Sequence, residues 1–79
     1  MKIFVGRLSP AVTDLHLELL FGYFGEVNSA NVVKDRQTGS SRQFGFVDMK
    51  YEKEAAKAIR ELDGAPLEGS KIVVNEAVG

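Results

Sequence analysis

Two helix-spaced segments, each enclosed by short β-rich runs, restrict the folds open to this chain more than any other feature of its sequence. The first follows a turn at Ser9-Pro10. Thr13 is placed to cap it, and Asp14 puts a negative charge in the first turn, where the helix dipole favours one. Leu17, Leu20, Phe21 and Phe24 then recur at helical spacing, and Gly25 is a natural stop. Gly22 inside that run costs about 1 kcal/mol relative to alanine. The second segment, Glu52 to Leu62, is rich in alanine and turns Ala55, Ala58, Ile59 and Leu62 to one side, with Asp63-Gly64 ending it.

Four strand-like runs surround these helices: residues 2–6 (KIFVG), 27–33 (VNSANVV), 43–49 (QFGFVDM) and 71–75 (KIVVN). Residues 34–41 form a polar loop with Gly39 at a turn, so the second and third runs make a long hairpin. Pro66, Leu67 and Gly69 make a bend before the last run. The order is β-α-β-β-α-β, a split βαβ unit. It predicts an α+β, ferredoxin-like sandwich: a four-stranded antiparallel sheet with two helices on one face, because both crossovers are right-handed. A chain of 79 residues has no room for a second core, so residues 1–79 are expected to form a single domain.

Composition closes several functional classes. The absence of cysteine removes disulfides, thiolate metal sites and thiol catalysis. His16 is the one histidine, has no second ligand to share a metal with, and is expected to face solvent; no metal or cofactor is expected. No apolar run approaches the roughly 18 residues of a membrane span. Lys2 leads straight into a strand-like run, so no signal peptide is read and the expected location is cytoplasmic, or nuclear in a eukaryote. A formal net charge of −1 argues against nonspecific nucleic-acid binding driven by bulk charge.

Strand alternation then shows what the uncovered sheet face carries. Ile3 and Val5 are the core residues of the first run, so Lys2 and Phe4 point the other way. Val47 and Met49 are core in the third, with Gly45 beside them; Arg42, Phe44, Phe46, Asp48 and Lys50 point away from the helices. The chain ends a few residues past the last strand, so no third layer is expected over these rings. An exposed ring leaves apolar area in water at about 25 cal/mol per Å². Three together mark a binding surface. Phenylalanine beside arginine and lysine suits single-stranded nucleic acid: every base has a π-face, and stacking is worth about 1–3 kcal/mol per base. Arg42 and Lys50 would take phosphates or base edges.

These residues resemble a known family. Ile3-Phe4-Val5-Gly6-Arg7-Leu8 is similar to the hexapeptide signature of the RNA recognition motif. Arg42-Gln43-Phe44-Gly45-Phe46-Val47-Asp48-Met49 is similar to its octapeptide, K/R-G-F/Y-G/A-F-V-x-F/Y. The likeness spans the whole chain, including the Asp-x-x-Thr-Gly loop at 35–39 and Leu-Asp-Gly at 62–64. The compact chain and its Val-Val-Asn-Glu-Ala ending are similar to small bacterial and cyanobacterial members, and plant glycine-rich and animal members share much of the pattern. The resemblance implies a non-enzymatic module for single-stranded RNA, with single-stranded DNA as a second ligand, acting in post-transcriptional regulation or as an RNA chaperone. It implies that Phe4 and Phe44 stack on bases, that Phe46 lies against ribose, and that Arg42 meets the phosphate backbone. Asn31 and Val33, with Val73 and Asn75, would flank the rings, and the chain from Glu76 through Ala77 to Val78 would offer backbone groups to base edges.

Three positions depart from the pattern. Gln43 stands where the octapeptide has glycine, which puts the geometry of residues 40–43 in question. Arg7 stands where the hexapeptide usually has asparagine, adding a positive charge at the edge of the face. Met49 replaces an aromatic on the core side, a packing swap that methionine accommodates. The first helix adds a further feature. Leu15, Leu19 and Tyr23 recur every four residues beside its core stripe, at positions where family members usually carry polar residues. The helix is apolar over more of its circumference than a surface helix needs. That leaves two readings: a broad buried stripe or scattered exposed leucines on the one hand, and a surface for self-association or a protein partner on the other.

Two other classes are weighed against RNA binding. A protein-interaction domain on the same fold would use Leu15, Leu19 and Tyr23. A hydrolase of this topology, of the acylphosphatase kind, would need a phosphate-cradling run of backbone N–H donors, and Arg7-Leu8-Ser9-Pro10 lacks the glycines for one. Glu52 and Glu54, at a helix start, read as dipole-matched surface charges rather than a catalytic pair.

Overall fold

A computed structural model describes residues 1–77. The elements run β1 (Lys2–Gly6), α1 (Asp14–Gly22), β2 (Val27–Lys34), β3 (Ser41–Met49), α2 (Glu52–Leu62), β4 (Pro66–Leu67), β5 (Ser70–Lys71) and β6 (Val73–Glu76). Four strands form one sheet in the order β2-β3-β1-β6, every neighbouring pair antiparallel. Both helices pack on one face of it, as the β-α-β-β-α-β order requires.

The core forms where the strands and helices turn their apolar residues toward each other. Ile3 and Val5 of β1 and Val47 and Met49 of β3 are fully buried, against Leu17 and Phe21 of α1 and Ala55 and Ala58 of α2. The alanines let α2 approach the sheet closely. Leu20, Phe24 and Ile59 lie at the margin of this core, half-buried. Three carboxylates fasten the layers by accepting from backbone N–H groups in β2, in β6 and just before β2. Val32 N–H donates to Asp14 Oδ1 at 2.7 Å, Val74 N–H to Asp63 Oδ1 at 3.0 Å, and Glu26 N–H to Glu54 Oε1 at 3.2 Å. Charged acceptors make these stronger than neutral hydrogen bonds.

Several boundaries differ from those read in the sequence. α1 ends at Gly22 with Tyr23 as its C-cap, so Gly22 is the last helical residue rather than an interior weak point, and Gly25 lies beyond the stop. The last run divides: Lys71 belongs to a two-residue hairpin with Pro66-Leu67, and the fourth sheet strand begins at Val73. Glu68 and Gly69 close that hairpin with φ of 47° and 86°, the paired positive values of a type I′ turn. β2 reaches Lys34 and β3 starts at Ser41, with a register shift between Val32 and Lys34 that opens an irregularity at residues 42–44.

His16 corrects a further expectation. It does not simply face solvent. Thr13 N–H donates to His16 Nδ1 at 2.9 Å, while His16 N–H reaches back to Thr13 Oγ1 at 3.4 Å. The imidazole thus fills the role that Glu or Gln takes in a capping box. Its Nε2 lies 3.5 Å from Glu68 Oε1, tying the start of α1 to the β4–β5 turn.

Candidate nucleic-acid interface

β1 and β3 are the central strands of the sheet, and their register sets Phe4 opposite Phe46. Residues alternate across a strand, so Phe44, Phe46 and Phe4 share the face opposite the helices. Phe4 and Phe44 lie 5.9 Å apart between ring centroids at an interplanar angle of 29°. Phe46 meets both edge-on, at 5.9 Å and 66° to Phe4 and at 6.1 Å and 87° to Phe44. The rings are half-buried rather than fully solvated. Each shields part of its neighbours, which lowers the cost of leaving them uncovered and holds two of them near-parallel.

The cations expected on this face are partly gathered there. Lys2 Nζ stands 5.0 Å from the Phe46 centroid, and the Arg42 guanidinium 5.7 Å from that of Phe44. Both are within cation–π reach, and both put positive charge at the margin of the aromatic cluster. Lys50 is drawn elsewhere: its Nζ is 3.7 Å from Glu26 and 5.5 Å from the Tyr51 ring, at the far end of β3. Arg7 is exposed at the end of β1.

The flanking residues fall where alternation sends them. Asn31 of β2 pairs with Phe46, Asn75 of β6 with Phe4, and Val73 with Gly6, so all three lie on the ring face. Val33 sits in the stretch where the β2–β3 register shifts, half-buried. The chain end differs from expectation. Glu76 is still inside β6, opposite Ile3, and Ala77 N–H already donates to the Lys2 carbonyl at 2.9 Å. That donor is consumed by the sheet and is not offered to a base. Val78 lies outside the described residues.

The polar loop between β2 and β3 adds residues that the sequence pattern did not single out. Lys34 and Arg36, with Asp35 and Gln37, join the already expected Arg42 in lining a cavity of about 380 Å³ at the end of the sheet. Asp35 organises this loop: its Oδ1 accepts from Gln37 N–H at 2.8 Å and Thr38 N–H at 3.1 Å. The Thr38 bond, then the Gln37 bond, holds its carboxyl below the ordinary aspartate value, with a smaller contribution from Arg42. The Lys-Asp-Arg triplet beside a signature arginine was the available signal.

Near-neutral net charge conceals a separation of charge. Lys2, Arg7, Lys34, Arg36 and Arg42 sit in β1, β2, β3 and the loop ends next to them, with Asp35 and Asp48 as nearby acids. The helical layer holds Asp14, Glu18, Glu52, Glu54, Glu61 and Asp63 against Lys53, Lys57 and Arg60 of α2, and α1 has no lysine or arginine at all. On that opposite side, Leu15, Leu19 and Tyr23 are 60%, 67% and 86% exposed. They are therefore not a broad buried stripe. An apolar groove of about 490 Å³ runs beside them, lined by Leu19, Leu20, Tyr23, Phe24, Leu62 and Leu67 with His16.

The RNA recognition motif pattern matches residues 3–73. The chain belongs to the RNA recognition motif family. Among known relatives it is similar to glycine-rich RNA-binding protein 4, mitochondrial, of Arabidopsis thaliana: 50% identical over 76 residues, 96% of this chain and 56% of that protein. The chain spans about half the length of the curated relatives it matches. Among solved structures, RNA-binding protein PG1 superposes with a TM-score of 0.96 at 44% identity, covering 100% of this chain and 95% of that one. A Sxl-lethal protein/RNA complex superposes with a TM-score of 0.94 at 29% identity, covering 99% of this chain and 47% of its partner in the comparison. In this RNA recognition motif the hexapeptide lies on β1 and the octapeptide on β3, side by side at the centre of the sheet. No helix among the described residues is long and apolar enough to cross a membrane.

Proposed function

We propose that this domain binds single-stranded RNA on the open face of its sheet. The observation that carries the reading is the cluster of Phe4, Phe44 and Phe46 at 5.9–6.1 Å spacing, with Lys2 and Arg42 at its margin. Two near-parallel rings suit two stacked bases, and the edge-on Phe46 suits the ribose between them. Asn31 and Asn75, exposed beside Phe46 and Phe4, have amide donors and acceptors for base edges. Single-stranded DNA is a second ligand of the same stacking chemistry. RNA binding by relatives across this family, and a neighbour solved as an RNA complex, support a post-transcriptional or RNA-chaperone role.

The test is Phe44→Ala combined with Phe46→Ala, measured by fluorescence anisotropy on labelled RNA and DNA oligonucleotides. The double variant should stay folded and lose most of its affinity, since each base stack is worth about 1–3 kcal/mol. A folded double variant that binds as well as wild type overturns the reading.

A protein partner or a second copy on the helical side is a separate reading, favoured by the exposure of Leu15, Leu19 and Tyr23. It is compatible with RNA on the opposite face. Sedimentation over a range of concentrations, repeated with Leu19→Glu, tests self-association: a monomer at every concentration counts against it.

A further inference from the structure

We propose that the groove on the helical side docks a short apolar segment of another protein, one that carries lysine or arginine on its flanks. The proposal rests on the helical-side reading above and gives that surface its partner.

The groove follows α1. His16, Leu19, Leu20, Tyr23 and Phe24 line it at intervals of one, three and four residues, and Leu62 of α2 and Leu67 of β4 supply the rest of its lining. From His16 to Tyr23 the helix rises roughly 10 Å, the length of about three extended residues. Leu20, Phe24 and Leu67 are half-buried and Leu62 is buried, so the core fixes the floor. Leu19 and Tyr23 stand exposed at its edge, and the Tyr23 ring meets Phe24 edge-on at 5.5 Å. A formed apolar groove with exposed apolar edges is a protein-interaction surface, and tyrosine is a common anchor in one.

Charge decides the occupant. Glu68 Oε1 lies 3.5 Å from Nε2 of His16, a lining residue. Glu61 comes two helical turns after Glu54, whose carboxylate reaches the Glu26 N–H just past α1, so both belong to the side of α2 that faces α1. Glu18 borders the exposed stripe three residues after Leu15. The C-terminal end of α1 adds the negative pole of its dipole, with no basic residue in its last turn to offset it. The cations of this layer, Lys53, Lys57 and Arg60, recur on the side of α2 opposite its buried Ala55, Ala58 and Leu62. Among the described residues none of them is ion-paired with these acids. RNA phosphates are repelled from such a rim. A second copy docked about a two-fold axis would set the same acids against each other. A cation-flanked apolar segment meets both the groove and its rim.

The experiment selects peptides from a random twelve-residue display library on the immobilised chain and then measures the enriched peptides against variants. They should have an apolar centre with lysine or arginine on its flanks. Leu19→Glu should weaken them by about tenfold or more, and Tyr23→Ala should weaken them too, with the melting temperature unchanged because both side chains are exposed. Glu18→Lys combined with Glu61→Lys should weaken them by about threefold to tenfold and flatten their salt dependence. Phe44→Ala with Phe46→Ala should leave them unaffected, which separates the groove from the ring face. Enriched peptides with acidic or uncharged flanks, peptides indifferent to Leu19→Glu, or an empty selection overturn the proposal. If the chain instead self-associates in sedimentation and Leu19→Glu abolishes it, the basic segment is overturned while the helical-side reading stands. An empty selection from a strict monomer ends both.

Discussion

The Phe4 ring lies over the bare backbone of Gly6. The two residues share one side of β1, and a Cβ on Gly6 would stand 2.7 Å from Cε2 of Phe4. Glycine here lets the ring lie down toward Phe44 and reach its near-parallel arrangement. Gly6→Ala should push the ring aside with little change in melting temperature, because the obstructed atom is at the far end of a movable side chain. RNA affinity should fall by about 1 kcal/mol or more, the value of one disturbed stack. Thermal melting and anisotropy on the same sample separate the two effects.

Gly45 is under a different constraint. It is buried in β3, and a Cβ there would strike the carbonyl oxygen of Asn31 on the neighbouring strand. Backbone cannot step aside as a ring can. Gly45→Ala should therefore destabilise the fold by about 1–3 kcal/mol, in the range of overpacked interiors. Urea denaturation gives the number directly.

Asp14 links α1 to an edge strand through its 2.7 Å bond from Val32 N–H. Asp14→Ala removes that charged acceptor and leaves a partly buried donor without it, at an expected cost of about 1–3 kcal/mol. Hydrogen exchange at Val32 should accelerate more than at Val47, which lies in the central strand and does not depend on the carboxylate.

The Asp35 loop should show an acid limit. The folded-state pKa is lowered by the Thr38 and Gln37 N–H groups, so ionised Asp35 favours the folded state. That stability is present above the unfolded aspartate value of about 3.9 and is lost as pH falls through the lower folded value. Asp35→Ala should thus reduce the urea midpoint at pH 7 and have a smaller effect at pH 3. A difference that grows on acidification would reverse the assignment.

The sheet and both helices were legible because apolar spacing records which side of each element is buried. Ile3, Val5, Val47 and Met49 alternate with Phe4, Phe44 and Phe46, so the ring face followed from period alone. What alternation does not record is how side chains shelter one another. The half-burial of the three rings is a property of their packing, and the diversion of Lys50 to Glu26 and Tyr51 depends on a neighbour far away in sequence. Backbone exceptions were equally hidden. The positive φ at Gln43 arises where the β2–β3 register shifts and that at Arg7 just past the end of β1, and no propensity assigns left-handed backbone to arginine or glutamine. The fourth strand began late because Glu68-Gly69 turns Ser70-Lys71 back onto Pro66-Leu67. His16 looked idle because a histidine seldom completes a capping box, although its i+3 spacing from Thr13 is the spacing of that motif.

The central claim is that RNA lies on the sheet face across Phe4, Phe44 and Phe46. Titrating isotope-labelled protein with a short single-stranded RNA and following chemical shifts by NMR tests it most directly. The account predicts the largest shifts at Phe4, Gly6, Phe44 and Phe46, with Asn31 and Asn75 beside them, and little change at Leu15, Leu19 and Tyr23. Shifts concentrated on α1, with the phenylalanines unmoved at saturating RNA, would contradict it.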